Sequence, residues 1–148
     1  WTPGNRGGRV KARAIERGHS EERFMFDTSK AFSGLSADNL DAAEAFYGGV
    51  LGLTVERIDA GMLVITLGSG GRILVYPKLD HVPATFTVLN FPVADVRAAV
   101  ADLTALGVTM QHYDGMPQDA DGIMRAHGPE IAWFTDPAGN VISVVEDI

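Results

Sequence analysis

Apolar and polar positions follow two periods along this chain, and the two periods recur in the same order twice. Ala31–Ala37 reads as a strand. Asp38 is the expected N-cap of a helix whose stripe is Leu40, Ala43, Tyr47, Val50 and Leu51, with Gly52 at the C′ position. Met62–Leu67 and Arg72–Tyr76 read as a hairpin across Gly68-Ser69-Gly70-Gly71. A strand at Thr85–Val93 then opens the second half. Asp95 caps a helix striped by Val96, Ala99, Val100, Leu103 and Leu106, and Gly107 ends it. Leu40 aligns with Val96 and Gly52 with Gly107, an offset of 55–56 residues. A loop from Gln111 to Glu130 follows, with a short strand near Ile123–Ala126. The chain closes on a hairpin, Ala132–Glu146, whose turn has Asp136, Pro137 and Gly139 where a type I turn prefers them. Each half is βαβββ, so the fold class is α+β built on an internal duplication.

Residues 1–24 are rich in Gly and Arg and poor in apolar residues, and read as a basic extension before one domain at 25–148. Module one spans about 30–78 and module two about 84–147. Residues 1–30 hold seven basic and four acidic side chains, net +3, while the other 118 hold five and 15, net −10. An acidic body argues against nucleic acid as a partner. The basic arm is a solvated extension, or docks on its own acidic body, or recruits a partner. The chain has no cysteine, which excludes disulfides and thiolate sites and fits a cytoplasmic protein. No apolar run is long enough to span a membrane, and the N-terminus shows no signal-peptide core.

Three segments in this order resemble the vicinal oxygen chelate superfamily of glyoxalase I, bleomycin-resistance proteins and extradiol dioxygenases. They are Ala37-Asp38-Asn39-Leu40-Asp41-Ala42-Ala43-Glu44-Ala45-Phe46-Tyr47, Val50-Leu51-Gly52-Leu53, and Trp133-Phe134-Thr135-Asp136-Pro137-Ala138-Gly139-Asn140. The resemblance covers about residues 25–147. It implies that the two modules form a cupped, partly open mixed β-barrel with helices outside, and that the chain is a homodimer.

Metal-dependent members of that superfamily place His, Glu or Gln on four strands facing the cup. Carried over singly, those positions land on Phe32, on Ile73 (Val75 if the register slips), on Val88 and on Ser143. Phe, Ile and Val cannot ligate, and a serine hydroxyl is a poor ligand for a divalent transition metal. The expectation is no metal and no cofactor. His81, His112, His127, Asp80, Asp114 and Glu130 stand in loops or at strand ends without metal-ligand spacing.

The expected cup is apolar, with Phe32, Ile73, Val75, Val88 and Trp133 as walls and Ser36, Tyr76, Asn90, Thr135 and Ser143 as polar groups. Such a mixture suits an organic ligand, unless the side chains simply fill the barrel. Asn90 interrupts an apolar run and either bonds neighbouring backbone or orients the ligand. Trp133 either packs in the core or stacks on the ligand. Tyr113–Gly128, carrying Arg125 and His127, reads as a mobile flap. No nucleophile motif and no phosphate loop occurs. The leading expectation is a metal-free protein that holds a small apolar or aromatic molecule, with binding rather than catalysis as its role. The alternative is a metal-dependent lyase, isomerase or dioxygenase of the same superfamily. A metal-free enzyme would draw its acid or base from Tyr76, His112 or Glu130.

Overall fold

The computed structural model describes residues 26–126 and 128–147. The chain divides into two units, residues 1–31 and 32–148. Within the first, Ser29 N donates to Asp27 Oδ1 at 2.9 Å and Ala31 N to Thr28 O at 3.3 Å, which makes a turn. The expected basic extension, its boundary with the domain, and His127 lie outside the described residues.

The second unit is α+β, with two small mixed sheets and neither sheet closed into a barrel. Strands β1 (Ser33–Ala37), β2 (Thr54–Ile58), β3 (Met62–Thr66) and β4 (Arg72–Pro77) form one sheet in the order β1-β4-β3-β2. Strands β5 (Thr87–Val93), β6 (Ile131–Thr135) and β7 (Val141–Glu146) form the other in the order β5-β7-β6. β1 runs parallel to β4 and β5 parallel to β7, the same relation in both halves. The first module keeps all four strands. In the second, the segment expected near Ile123–Ala126 is reduced to isolated bridges, with Met124 pairing to Ile131 and to Gln118.

Helix α1 (Leu40–Glu44) is capped by Asn39, not by Asp38 as the sequence suggested. Asn39 has extended backbone, and its side chain accepts from Ala42 N at 3.0 Å. Asp and Asn both cap well, so the residue standing one turn-step before the first helical position takes the role. The helix then widens into a π-helical segment, Ala45–Val50. Gly48 lies in that segment, where an added Cβ would meet Val55 of β2 at 3.5 Å. Helix α2 (Val96–Ala105) is capped by Asp95 as expected, and Gly107 follows it at φ 89°. Leu35, Ile73, Val75, Leu63 and Ile65 from one sheet pack with Ala43 and Tyr47 of the first helical segment. Ile142, Val144, Ala132 and Phe134 from the other belong to the same buried core, with Val96, Val100 and Leu103 of α2.

Asp136 holds the two modules together. Its carboxylate is 4% exposed and receives four donors. Oδ1 accepts from the amides of Ala138 and Asn140, each at 2.9 Å. Oδ2 accepts from the Tyr47 hydroxyl at 2.6 Å and from Asn140 Nδ2 at 2.9 Å. Asn140 Nδ2 also donates to Ser36 O of β1 at 3.0 Å. The Asp-Pro-x-Gly-Asn turn is thus bonded to both the helix and the first strand of the other module. A buried carboxylate persists only when hydrogen bonds replace its hydration, and Tyr47 and Asn140 supply them.

Candidate functional site

Alternation along each strand separates a face that packs under the helices from one turned away from them. In β4 the buried set is Ile73 and Val75, 4% and 1% exposed. Both belong to the core beneath the first helix and are not walls of a ligand cup. The opposite face of β4 carries Arg72, Leu74 and Tyr76, paired across to Thr66, Gly34 and Ser36. Tyr76 is 40% exposed, and Phe32, which stands just before β1, is 60% exposed.

Ser36 is bonded. Its hydroxyl lies 2.6 Å from His81 Nδ1, and His81 Nε2 lies 2.9 Å from Ala138 O. A carbonyl only accepts, so Nε2 carries the proton, and in the neutral ring Nδ1 accepts from Ser36. His81 thereby ties the inter-module linker to β1 and to the C-terminal turn. No local pattern around His81 marks this role.

The second sheet gathers a tighter group. Asn90 stands directly across from Ser143, and Ser143 across from Trp133. Ser143 is fully buried and its hydroxyl donates to Asn90 Oδ1 at 2.6 Å. Asn90 itself is exposed, on β5 at the edge of its sheet. Its oxygen bonds a side chain and not neighbouring backbone. Trp133 is buried but lies outside the core beneath the helices. Its Nε1 donates to Thr87 Oγ1 at 3.1 Å, and Tyr113 meets its ring edge-on at 5.8 Å. Val88 is displaced from the face expected of it. The ladder skips it between Thr87 and Leu89, and it packs toward the core as the extra residue of a bulge. The structure therefore brings together Asn90, Ser143 and Trp133 on one sheet, and Ser36, Tyr76 and Phe32 around another.

The loop expected to be a mobile flap is tied down. Gln118 Oε1 accepts from Tyr113 N at 2.7 Å, and its Nε2 donates to Gln111 O at 2.9 Å and Gly122 O at 2.8 Å. Arg97 of α2 pairs with Asp119 and Asp121 at 2.8 and 2.7 Å. Arg125 pairs with Glu130 at 2.7 Å. Burial alone would raise the Asp119 carboxyl, but the Ile123 amide, Arg97 and the Asp121 amide together hold it below its ordinary value. Burial pushes the Tyr113 phenol up, so it stays protonated beside Trp133. Gln118 and Thr87 were not anticipated, since each acts through partners that no local pattern reveals. A cavity of about 280 Å³ opens elsewhere, beside Phe46, Val50, Leu106 and Pro137, and of the ten expected cup residues Thr135 alone lines it.

The donor set does not fit a divalent transition metal. The polar side chains that β1, β4, β5 and β7 turn away from the helices are Ser36, Arg72, Tyr76, Asn90, Thr87 and Ser143. These are a cation and neutral oxygen or amide groups, where such a metal selects imidazole, thiolate or carboxylate. Glu56 is a lone carboxylate on the corresponding face of β2, and it is exposed. Among the described residues no group of three or more His, Asp or Glu side chains is placed to hold a metal ion. His112 and Asp114 are exposed, and Asp80 pairs with Lys78 at 2.6 Å. Also among the described residues, no helix is long and apolar enough to cross a membrane.

Comparison with known proteins agrees with this architecture. Among solved structures the chain is similar to lactoylglutathione lyase from Agrobacterium tumefaciens, at 25% identity and TM-score 0.56, covering 81% of this chain and 94% of that one. It is similar to the fosfomycin resistance protein FosX from Listeria monocytogenes, at 12% identity and TM-score 0.64, covering 83% and 96%. A glyoxalase family protein from Enterococcus faecalis is 21% identical with TM-score 0.60, covering 82% and 100%. No curated protein sequence matches. Residues 33–145 match the glyoxalase-like domain family. With two βαβββ modules and the Asp136 turn joining them, the chain belongs to the glyoxalase-like domain family, within the vicinal oxygen chelate superfamily.

Proposed function

We propose that this protein is a metal-independent small-molecule binder that holds a flat apolar or aromatic ligand on the face turned away from its helices. One observation carries the reading. At one of the positions where metal-dependent relatives are expected to present imidazole or carboxylate, this chain has Ser143, already hydrogen bonded to Asn90 and beside an indole. Apolar walls with a few orienting polar groups are the composition of organic-ligand sites. Trp133, Asn90 and Ser143 supply one side, and Phe32, Ser36 and Tyr76 the other. A homodimer and a cytoplasmic location accompany this reading. Leu79, Val82 and Phe86, 69–96% exposed, are supports for the dimer as apolar surface that a second copy would bury.

Thermal melts test the proposal, with EDTA and then with nickel, zinc, manganese and iron(II) added singly. A ligand that binds only the native state raises the melting temperature by mass action. The expected result is no shift with any metal and a shift with an aromatic small molecule. Asn90→Ala should weaken that binding without unfolding the protein. The second reading, a metal-dependent lyase, isomerase or dioxygenase, draws its support from the likeness to lactoylglutathione lyase. A rise with one metal, reversed by EDTA, would select it.

A further inference from the structure

We propose that the ligand bears a carbonyl or carboxylate oxygen, received by the side-chain amide of Asn90. This inference deepens the binding reading above and rests on it. Ser143 is fully buried, and among the described residues its hydroxyl has one partner, Asn90 Oδ1 at 2.6 Å. A flipped amide would set Nδ2 against Ser143 Oγ and leave a buried O–H without an acceptor, which folded proteins avoid. Ser143 therefore fixes the polarity of Asn90. The oxygen faces inward, and Nδ2, on an exposed side chain, donates to no group among the described residues.

Thr87 extends the same polarity. It accepts from Trp133 Nε1, so its own hydroxyl proton remains for another partner. Thr87 and Asn90 pair with Val141 and Ser143, two positions apart on β7, which sets the two donors about 6–7 Å apart along the sheet. No charged side chain stands on this face of β5, β6 or β7. The face thus offers outward donors beside an indole, with Asn90 Oδ1 already engaged. A flat body lies on the strand face beside Trp133, whose ring is almost wholly buried, while its oxygen accepts from Asn90. Asn90 is the specificity residue, and Ser143 is a positioning residue that acts through it.

The test uses the Trp1→Phe protein, which leaves Trp133 as the sole indole of the two in the chain. Proton–nitrogen correlation spectra then follow Trp133 Nε1–H during titration with cinnamate, benzylideneacetone and cinnamylamine. These share one phenyl-vinyl body and differ in the group offered to Asn90. Cinnamate or the ketone should shift the resonance at about tenfold lower concentration than the amine, the effect of one well-placed hydrogen bond. Preference for cinnamate would identify a carboxylate ligand, and preference for the ketone a neutral carbonyl. Asn90→Asp should reverse the order, because the carboxylate still accepts from Ser143 but now presents an acceptor. Ser143→Ala should narrow the discrimination while the fold, checked by the rest of the spectrum, is kept. Equal affinity for all three compounds would overturn this inference and leave the binding reading standing. No shift with any of them would overturn the binding reading, and this inference with it.

Discussion

Replacing Tyr47 by Phe removes a single oxygen from the buried core and isolates one of the bonds that join the modules. Tyr47 is fully buried and its hydroxyl donates to Asp136 Oδ2 at 2.6 Å. Phe keeps the ring and its edge-on contact with Phe46, whose centroid lies 5.2 Å away. The loss is therefore confined to one hydrogen bond to a charged acceptor, about 1.5–3 kcal/mol. For a domain of this size that corresponds to a fall in melting temperature of roughly 5–12 °C. Asp136→Asn should be worse, because an amide nitrogen would face donors on one side of the turn or the other. The pH dependence gives a second readout. Burial first, then the Asp136 charge and bond, push the Tyr47 phenol far above its ordinary value. A group whose folded pKa is raised contributes stability that is fully present below its unfolded value, about 10, and lost as pH rises through the folded one. Urea unfolding followed by circular dichroism at pH 7, and again above pH 10, measures both. The wild type should lose stability in alkali, and Tyr47→Phe should lose less. If Tyr47→Phe unfolds within about 0.5 kcal/mol of wild type at pH 7, the Asp136 cluster does not hold the modules together as argued.

Gly139→Ala should destabilise by about 2 kcal/mol, since Gly139 has φ 84° and the new Cβ would lie 3.0 Å from Pro83 Cγ. Gly61→Ala, at φ 73° in open space, carries only the backbone strain, so urea unfolding of the two variants separates strain from the Pro83 contact. Asn39→Ala should lower stability by about 1 kcal/mol and Asp38→Ala by much less, with equal losses in thermal melts refuting the assigned cap. Asp119 has a depressed folded pKa, so its contribution is present above the unfolded value near 3.9 and lost as pH falls through the folded one. Asp119→Asn should therefore flatten the stability profile measured between about pH 5 and 2, and an unchanged profile would sink that assignment.

Much of the fold is legible because it is written in local terms. A strand alternates with period two, a helix with period 3.6, and Asp95, Gly107 and the Asp136 turn act within a few residues of themselves. Duplication made the reading firmer, since the same order of periods appears twice. The family segments were recognisable for a reason the structure supplies. Tyr47, Asp136 and Asn140 form one buried hydrogen-bonded cluster, so the signature marks the junction of the modules and not the chemistry of a site.

The candidate site was less legible, because faces and partners depend on register. Both alternating sets of β4 are largely apolar, Ile73 and Val75 against Leu74 and Tyr76, so hydrophobicity does not say which lies beneath the helix. A slip of one residue exchanges the faces entirely. Val88 failed for a related reason, since a bulge breaks the alternation on which its assignment relied. Gln118 carries no periodic signal, and only the path of its loop sets one amide against three backbone groups. The sequence by itself determined the elements, their order and the duplication, because these follow from steric and hydrophobic preferences a few residues long. Only the tertiary structure decided that Ser143 meets Asn90 across 53 residues of chain, because that contact depends on the register of two distant strands.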